Sequence, residues 1–274
     1  MLVGEGAVAQ SQFVNRREDR GWIESQDYYH LFLAALTEIT TATVVDILLV
    51  TGLPVAFYGD KSALRQRLLG IHKVTRKGRR AQTFKVKECR VIPQPFGALL
   101  ATVLDQKGRI TSQELATGTV GVIDVGGKTT NLLSVRRLAE IGRQTESVSV
   151  GVWDVVRTVR RHFADKCPDL DLRDHDLIEA IVAREIRYYG KPVDLGEVVD
   201  SALEPMASQV IAQASQLWNS GAGLDAVLVT GGGALLLGPY LKNHFPHAQI
   251  ADDPIFANAV GFWKLAQRLG HSID

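Results

Sequence analysis

The chain has 274 residues, of which 46% are hydrophobic and 22% charged, a mixture typical of one large or two ordinary globular domains. Its 31 basic and 30 acidic residues leave a net charge of +1, which excludes a protein that binds polyanions through its overall charge. No apolar run reaches the roughly 18 residues of a membrane-spanning helix, and the first residues lack a secretory-signal pattern, so we expect a cytoplasmic protein.

The first third of the chain alternates between helical and strand patterns, which favours an α/β fold. Residues 28–39 are apolar on most sides of a predicted helix, so we expect this helix to be largely buried. The β-branched and leucine run at residues 43–51 predicts a strand that is covered on both faces. A helix at residues 61–69 and two strands within residues 71–92 follow.

A basic segment joins the two strands of residues 71–92. Residues 71–90 carry eight Lys or Arg and one acidic residue, Glu88. Such charges on an exposed hairpin prevent edge-to-edge aggregation, and they also suit contact with an acidic partner or a nucleic acid. The aromatic interleaving that base stacking needs is missing, so we expect no direct nucleic-acid binding.

Helices and strands also alternate in the rest of the chain. A helix should follow Pro93 and end near residue 104, and the polar residues 105–117 predict a connection between two lobes. Pro205 should kink or split a long amphipathic helix at residues 197–218. The other predicted elements are strands at 121–125, 132–135 and 226–230 and helices at 153–163, 174–189 and 255–269.

Residues 121–131, with the sequence GVIDVGGKTTN, predict a buried strand that opens into a turn rich in glycine and threonine. Glycine lets backbone N–H groups approach an anion closely, and threonine adds hydroxyl donors. The carboxylate of Asp124, just before the turn, could hold a hydrated Mg²⁺ or could cap the turn. The pattern therefore indicates a site for phosphate groups.

A second glycine cluster closes the strand at residues 226–230 and consists of Gly231, Gly232, Gly233 and Ala234. Three consecutive glycines favour ligand contact, although a tight strand-to-helix turn is the simpler explanation. The two clusters together suggest one nucleotide held between two lobes. A Walker A loop is excluded because it would need glycine where Val122 stands, and the dinucleotide fingerprint G-x-G-x-x-G occurs in neither cluster.

Several runs resemble a known protein family. Residues 124–131 resemble the second phosphate motif of the actin, Hsp70 and sugar-kinase superfamily, and residues 229–234 resemble its adenosine motif. Three further runs, TGLPV at 51–55, PQPFGA at 93–98 and FANAVG at 256–261, are similar to ParM-type bacterial and archaeal actins. These five motifs follow one another in the family's order over nearly the whole chain.

The resemblance implies a two-lobed, actin-like α/β fold of the ribonuclease H-like class. Lobe I would comprise residues 1–117, and lobe II residues 118–274. Within lobe II, a small peripheral subdomain is expected near residues 164–196 and a C-terminal helix at residues 255–269.

The resemblance also implies a site for ATP or GTP with Mg²⁺. Asp124 would hold the metal through water and serve the reaction, and Gln94 would orient the attacking water unless the Pro-Gln-Pro segment is only a rigid hinge. The remaining residues would contact the nucleotide: Gly126, Gly127, Thr129 and Thr130 the β- and γ-phosphates, and Gly231, Gly232, Gly233 and Ala234 the ribose and base.

One family motif, the first phosphate motif D-x-G-x-x-x-x-K, does not occur in these 274 residues. Because the beginning of the chain resembles a segment that normally lies downstream of it, we expect lobe I to be incomplete at its N-terminus. A natural truncation, a misplaced start codon and a true loss of the motif are all compatible with this pattern. Lys128 would then partly replace the absent lysine at the γ-phosphate, unless it is a solvated lysine on a turn.

The leading functional expectation is an actin-like ATPase that assembles into filaments, for example in plasmid segregation with a DNA-adaptor protein. A truncated, non-catalytic remnant or scaffold is the alternative. A sugar or small-acid kinase of the same superfamily is a further alternative, although the sequence offers no convincing candidate for its additional carboxylate base.

Overall fold

The computed structural model describes residues 20–170 and 172–270. The chain forms two compact units. Among the described residues, unit 1 comprises those up to Leu53 together with Phe57–Ile92, and unit 2 comprises Pro54–Ala56 and those from Pro93 onward.

The described part of unit 1 contains the helices α1 (Gln26–Ile39) and α2 (Lys61–Leu68) and the strands β1 (Val44–Leu53), β2 (Gly70–Val74) and β3 (Gln82–Pro93). The three strands form a sheet with the order β1-β3-β2, in which β2 and β3 are antiparallel. Ser25 caps α1 because its hydroxyl oxygen accepts a hydrogen bond from the Tyr28 N–H at 3.1 Å.

Two predictions of burial in unit 1 are wrong for the described residues. Within α1 only Leu36 and Thr37 are buried, and within β1 only Leu53 is buried. The strand lies at the edge of the described sheet, with a neighbouring strand on one side only. The continuous apolar run therefore predicted the strand correctly, but the prediction that both of its faces are buried is wrong.

The predicted basic hairpin is present as β2 and β3. Phe84 and Val86 of β3 are buried, whereas Lys85 and Lys87 are exposed, as expected for a strand with one covered face. Arg76 forms an ion pair with Glu38, and Lys87 pairs with Asp46 at 2.6 Å. The hairpin therefore presents its charges to solvent.

The main sheet of unit 2 consists of β4 (Thr119–Val125), β5 (Thr130–Arg136), β6 (Ala139–Glu140), β7 (Glu146–Val148), β10 (Ala226–Thr230) and β11 (Ala248–Ile250). The strand order is β11-β10-β4-β5-β6, and β7 pairs with β5. β10 runs parallel to both β4 and β11, whereas β4 and β5 form an antiparallel hairpin.

The helices of unit 2 cover a core that includes Ile123, Leu132, Val159, Val210 and Val229, all at most 1% exposed. A separate two-stranded hairpin consists of β8 (Glu185–Tyr188) and β9 (Lys191–Asp194). The helices are α3 (Gln94–Val103), α4 (Gln113–Thr117), α5 (Val152–Lys166), α6 (Asp174–Ala183), α7 (Gly196–Leu217), α8 (Ala234–His244) and α9 (Ala257–Gly270).

Two helix predictions in unit 2 need correction. The helix predicted at residues 174–189 ends at Ala183, because Arg184 adopts a left-handed conformation with φ of 56°, and strand β8 follows. The sequence predicts that Pro205 kinks or splits the long helix, and α7 runs from Gly196 to Leu217 without a split. A kink at Pro205 stays a prediction.

The two units divide between residues 92 and 93, whereas the lobe boundary predicted from the sequence lies at residue 117. Helix α3 belongs to unit 2 because it packs closely against α9. The assignment of residues 1–117 and 118–274 to two lobes remains a prediction, as does the peripheral subdomain near residues 164–196. Among the described helices, none combines the length and the hydrophobicity that spanning a bilayer requires.

Candidate functional site

The two glycine clusters lie next to each other in unit 2. Strands β4 and β10 are parallel neighbours, and Asp124 is paired in register with Thr230. Both strands end at this point, so the turn after β4 and the turn after β10 leave the same edge of the sheet. Open α/β sheets bind their ligands outside the carboxyl ends of such strands.

The turn after β4 comprises residues 126–129, and the start of α5 fixes its shape. The Gly126 N–H donates to the Thr129 carbonyl at 3.0 Å. The N–H groups of Val152 and Trp153 donate to the carbonyls of Gly126 and Gly127 at 3.1 and 2.8 Å, respectively. Within the described part of the chain, the N–H groups of Gly127 and Thr129 donate to no protein acceptor. They are therefore available to an anion.

Glycine is required at the middle of this turn because an added Cβ at Gly127 would overlap the indole ring of Trp153. Lys128, at the tip of the turn, is exposed, and Thr129 is partly exposed. Thr130 differs from them because its side chain is fully buried and its hydroxyl donates to the Val150 carbonyl at 2.9 Å. The structure therefore places the Thr130 hydroxyl inside the protein, on the strand that follows the turn.

The second turn approaches the Asp124 carboxylate closely. Gly231 has a φ of +88°, and a Cβ at this residue would lie 2.5 Å from Asp124 Oδ1. The Gly233 N–H donates to the Val125 carbonyl at 2.9 Å, which joins the second turn to the end of β4. Gly232 is exposed, and Ala234 begins α8 and is buried. Gly231 therefore needs both its conformational freedom and its missing side chain.

Asp124 is a buried carboxylate with one side-chain partner. It is 5% exposed, and its Oδ2 accepts a hydrogen bond from Asn258 Nδ2 at 3.0 Å. Burial raises the pKa of Asp124 to about 6, and the bond from Asn258 opposes this shift. No backbone N–H of the described turn donates to this carboxylate, so Asp124 does not cap the turn. Its Oδ1 accepts no hydrogen bond from a described residue and faces Gly231.

Gln94 is the first residue of α3 and is partly exposed. Its side-chain amide has no hydrogen-bond partner among the described residues. Helix α3 reaches the Asp124 carboxylate through a residue to which the sequence analysis gave no role. The Ala98 N–H donates to Asn258 Oδ1 at 3.1 Å, and Asn258 in turn contacts Asp124. The sequence signal for Asn258 was its place in the FANAVG run at residues 256–261, which indicated a family resemblance but no contact with Asp124.

A surface cavity of about 480 Å³ opens beside the first turns of α8, which follow the second glycine turn. Leu235, 58% exposed, provides apolar surface here, and the Arg184–Asp200 ion pair with an N–O distance of 2.6 Å provides a charged wall. The lining residues are Val182, Arg184, Asp200, Leu235, Leu236, Pro239, Tyr240 and Asn243. Its volume lies in the range of small-molecule sites.

A magnesium ion would fit the donor set around Asp124 only together with phosphate. Over residues 20–170 and 172–270, no three His, Cys, Asp or Glu side chains form a metal-binding cluster. Protein-bound Mg²⁺ usually takes one or two carboxylates, several waters and the phosphate oxygens of a substrate. Asp124 Oδ1 could serve as the carboxylate ligand of such an ion. It faces Gly231, where the absence of a side chain leaves space that a Cβ would fill.

Comparisons with known proteins support a relationship over most of the chain. A family model described as "Actin like proteins N terminal domain" matches residues 1–97. A second model, described as "Archaeal actin homologue MreB-like, C-terminal", matches residues 122–243. The search of curated proteins returned no match.

Solved structures match with high structural similarity and low sequence identity. The archaeal actin homologue Ta0583 is 23% identical, with 91% of this chain and 78% of that chain covered and a TM-score of 0.78. Its complex with ADP is 24% identical, with coverages of 91% and 79% and a TM-score of 0.74. A 15-stranded ParM filament from Clostridium botulinum is 23% identical, with coverages of 93% and 76% and a TM-score of 0.72.

Proposed function

The chain belongs to the actin-like proteins, in the group of the archaeal actin homologues and ParM, and we propose that it binds ATP with Mg²⁺ and assembles into filaments. The predicted actin-like α/β fold is confirmed by the same similarities. The proposal has four further parts: a preference for ATP over GTP, ATP hydrolysis, a cytoplasmic location, and a role in plasmid segregation with a DNA adaptor.

One observation carries the nucleotide-binding proposal. The two glycine turns leave neighbouring parallel strands at one edge of the sheet, and the Asp124 carboxylate lies between them. The turn of residues 126–129 offers backbone N–H groups to the β- and γ-phosphates, and Lys128 adds a positive charge. Thr129 contributes its hydroxyl, whereas Thr130 anchors the turn by its bond to Val150.

The ribose and base are assigned to the second turn and the cavity beside α8. Gly231, Gly232 and Gly233 bring the ribose close to the sheet edge, and α8 begins directly after them at Ala234. Leu235 and Leu236 then provide an apolar surface for the flat face of a purine. Asp200, which also accepts a hydrogen bond from Tyr240 at 3.2 Å, offers a carboxylate to the polar edge of the base.

In the proposed ATPase reaction, the chain supplies positioning and electrostatic stabilisation. Gln94 orients the attacking water through an amide that is partly exposed and has no described partner. Asp124 holds the magnesium hydration shell, and the turn N–H groups hold the phosphate oxygens in place. When bound, Mg²⁺ supplies charge neutralisation at these oxygens.

The binding of a fluorescent ATP analogue with and without Mg²⁺ tests the nucleotide site. The wild-type chain should bind it, and Mg²⁺ should tighten the binding. Lys128→Ala should weaken the affinity about tenfold, because a charge-assisted contact with phosphate contributes roughly 1.5 kcal/mol or more. Lys191→Ala is the matched control, since Lys191 is an exposed lysine on the separate β8–β9 hairpin.

Lack of saturable binding by a folded wild-type chain would refute the nucleotide proposal. If Lys128→Ala binds as tightly as the Lys191→Ala control, Lys128 is a solvated turn residue and its assigned contact is wrong. Binding without measurable phosphate release would favour the non-catalytic scaffold over the ATPase.

Self-assembly is proposed from the similarity to the ParM filament. The chain should sediment at high speed when ATP and Mg²⁺ are present and stay in the supernatant without nucleotide. Electron microscopy of the pellet distinguishes filaments from amorphous aggregates. A chain that binds ATP and yet forms no sedimentable polymer at high protein concentration would contradict this part of the proposal.

A further inference from the structure

We infer that Asn258 is a positioning residue of the nucleotide site, which fixes the orientation of the Asp124 carboxylate and ties it to the helix that carries Gln94. This inference rests on the proposed function and assigns a task to a residue outside both glycine clusters. Asn258 lies in the first turn of α9, 134 residues after Asp124.

The hydrogen bonds of Asn258 determine which way its amide faces. The Ala98 N–H can only donate, so the atom of Asn258 that it meets at 3.1 Å must be the amide oxygen. The Nδ2 group then faces Asp124 and donates to Oδ2 at 3.0 Å. A flipped amide would place its NH₂ group against a backbone N–H and its oxygen against a carboxylate, which loses both bonds.

The backbone of Asn258 is held as firmly as its side chain. Helices α3 and α9 approach so closely that a Cβ at Gly97 would lie 2.5 Å from the Asn258 carbonyl oxygen, and a Cβ at Gly261 would overlap the Gly97 carbonyl. Backbone-to-backbone contact of this kind leaves little freedom for α9 to shift against α3. The amide of Asn258 therefore reaches Asp124 from a rigid position.

The hydrogen bond from Asn258 gives the two oxygens of the Asp124 carboxylate different roles. Oδ2 is occupied by Asn258, so Oδ1 is directed toward Gly231 and the space assigned to the hydrated metal. The same amide holds Ala98, which lies one helical turn, about 6 Å along the axis, after Gln94. Asn258 thus sets the positions of Asp124 and the Gln94 helix relative to each other.

The test measures ATP affinity with Mg²⁺ and with EDTA for the full chain. Asn258→Ala should weaken the binding of Mg²⁺–ATP by 10- to 100-fold, as is typical when the partner of a metal-holding carboxylate is lost. The affinity for ATP in EDTA should change less than threefold. Thr102→Ala is the matched control because it removes a side-chain hydrogen bond within α3, to the Ala98 carbonyl, without touching Asp124.

A double-mutant cycle separates positioning from general stabilisation. In an Asp124→Ala background, Asn258→Ala should cause no further loss of Mg²⁺-dependent affinity, because its effect passes through the missing carboxylate. Asn258→Asp provides a second variant that retains an acceptor for the Ala98 N–H, loses the donor to Asp124 and places a second carboxylate against it, which repels the ionised Asp124. It should weaken Mg²⁺–ATP binding at least as strongly as Asn258→Ala.

The outcomes distinguish this inference from the proposed function. Absence of ATP binding by the wild-type chain would refute the proposed function itself. If the wild type binds and Asp124→Ala weakens the binding, but both Asn258 variants bind normally, only the positioning inference is overturned. Asn258 would only stabilise the fold if its variants lost equal ATP affinity with Mg²⁺ and with EDTA, or if their loss added to that of Asp124→Ala. Either result would also overturn the positioning inference.

Discussion

Asp124→Asn is expected to stabilise the ligand-free protein at pH 7.5 and at the same time to abolish its response to Mg²⁺. The carboxylate is buried, and burial raises its pKa to about 6 from the ordinary value of 3.8. Keeping it ionised in the folded state therefore costs about 3 kcal/mol of unfolding free energy. A neutral amide avoids this cost, and its oxygen still accepts the hydrogen bond from Asn258.

The gain in unfolding free energy predicted for Asp124→Asn increases with pH. Because the pKa of Asp124 is higher in the folded than in the unfolded chain, the folded state binds the additional proton between about pH 4 and pH 6. Wild-type stability therefore falls as the pH rises through this window, relative to the variant. The difference in unfolding free energy should be largest above pH 6 and should approach zero near pH 4.

Urea unfolding in EDTA at several pH values measures the difference in unfolding free energy between Asp124→Asn and the wild type. Binding of the ATP analogue with and without Mg²⁺ measures the loss of the response to Mg²⁺. The Mg²⁺-dependent increase in affinity should fall at least 100-fold, because the only described carboxylate between the glycine turns is removed. Asp105→Asn is the matched control. Hydrogen bonds from the Arg109 backbone and side chain and from the Lys107 backbone, together with the charge of Arg109, hold the pKa of Asp105 below its usual value. This substitution should therefore not stabilise the protein. A variant no more stable than the wild type at pH 7.5 would contradict the assigned burial cost.

The two glycine-rich turns could be recognised from the sequence because each is a local feature, whereas the roles assigned to their residues stay predictions. Glycines followed by threonines after an apolar strand have few structural meanings, so the turn after β4 and the triple glycine after β10 could both be recognised. The motif spacing also excluded a Walker A loop without any structure. Parallel pairing of β4 with β10 then brings the two turns together, in agreement with the expectation that both belong to one site.

Contacts between residues distant in sequence could not be predicted. Asn258 contacts Asp124 across 134 residues, and the FANAVG run in which it lies indicates a family resemblance but not which residue its amide contacts. Likewise, the sequence predicts that Gly127 is a glycine because it binds phosphate. The structure gives an equally strong reason, since a side chain at this position would overlap the indole of Trp153. Thr130 shows the opposite limit, because the motif alone assigns its hydroxyl to a ligand. It begins β5, a strand whose first six residues are all buried, and its hydroxyl donates to the Val150 carbonyl instead.

Gly261→Ala is expected to cause the largest loss of stability in α9. The added Cβ would overlap the carbonyl oxygen of Gly97 and would lie 2.9 Å from the Ala101 backbone nitrogen. Both neighbours are backbone atoms of α3, so no side chain can rotate away and the two helices must separate. Overpacking in a core typically costs about 1–3 kcal/mol, and a rigid backbone neighbour places this site at the upper end or beyond.

Gly270→Ala provides a control in the same helix, since a Cβ at Gly270 would meet no atom within 4 Å. It should be neutral or stabilise the protein by up to about 1 kcal/mol, because alanine favours the helical conformation more than glycine does. Thermal unfolding of both variants measures the contrast. If Gly261→Ala unfolds at the wild-type temperature, helices α3 and α9 are not in backbone contact, and the rigid position inferred for Asn258 is wrong as well. If it unfolds earlier and the folded fraction also loses Mg²⁺-dependent ATP binding, the same helix contact supports both the fold and the orientation of Asp124.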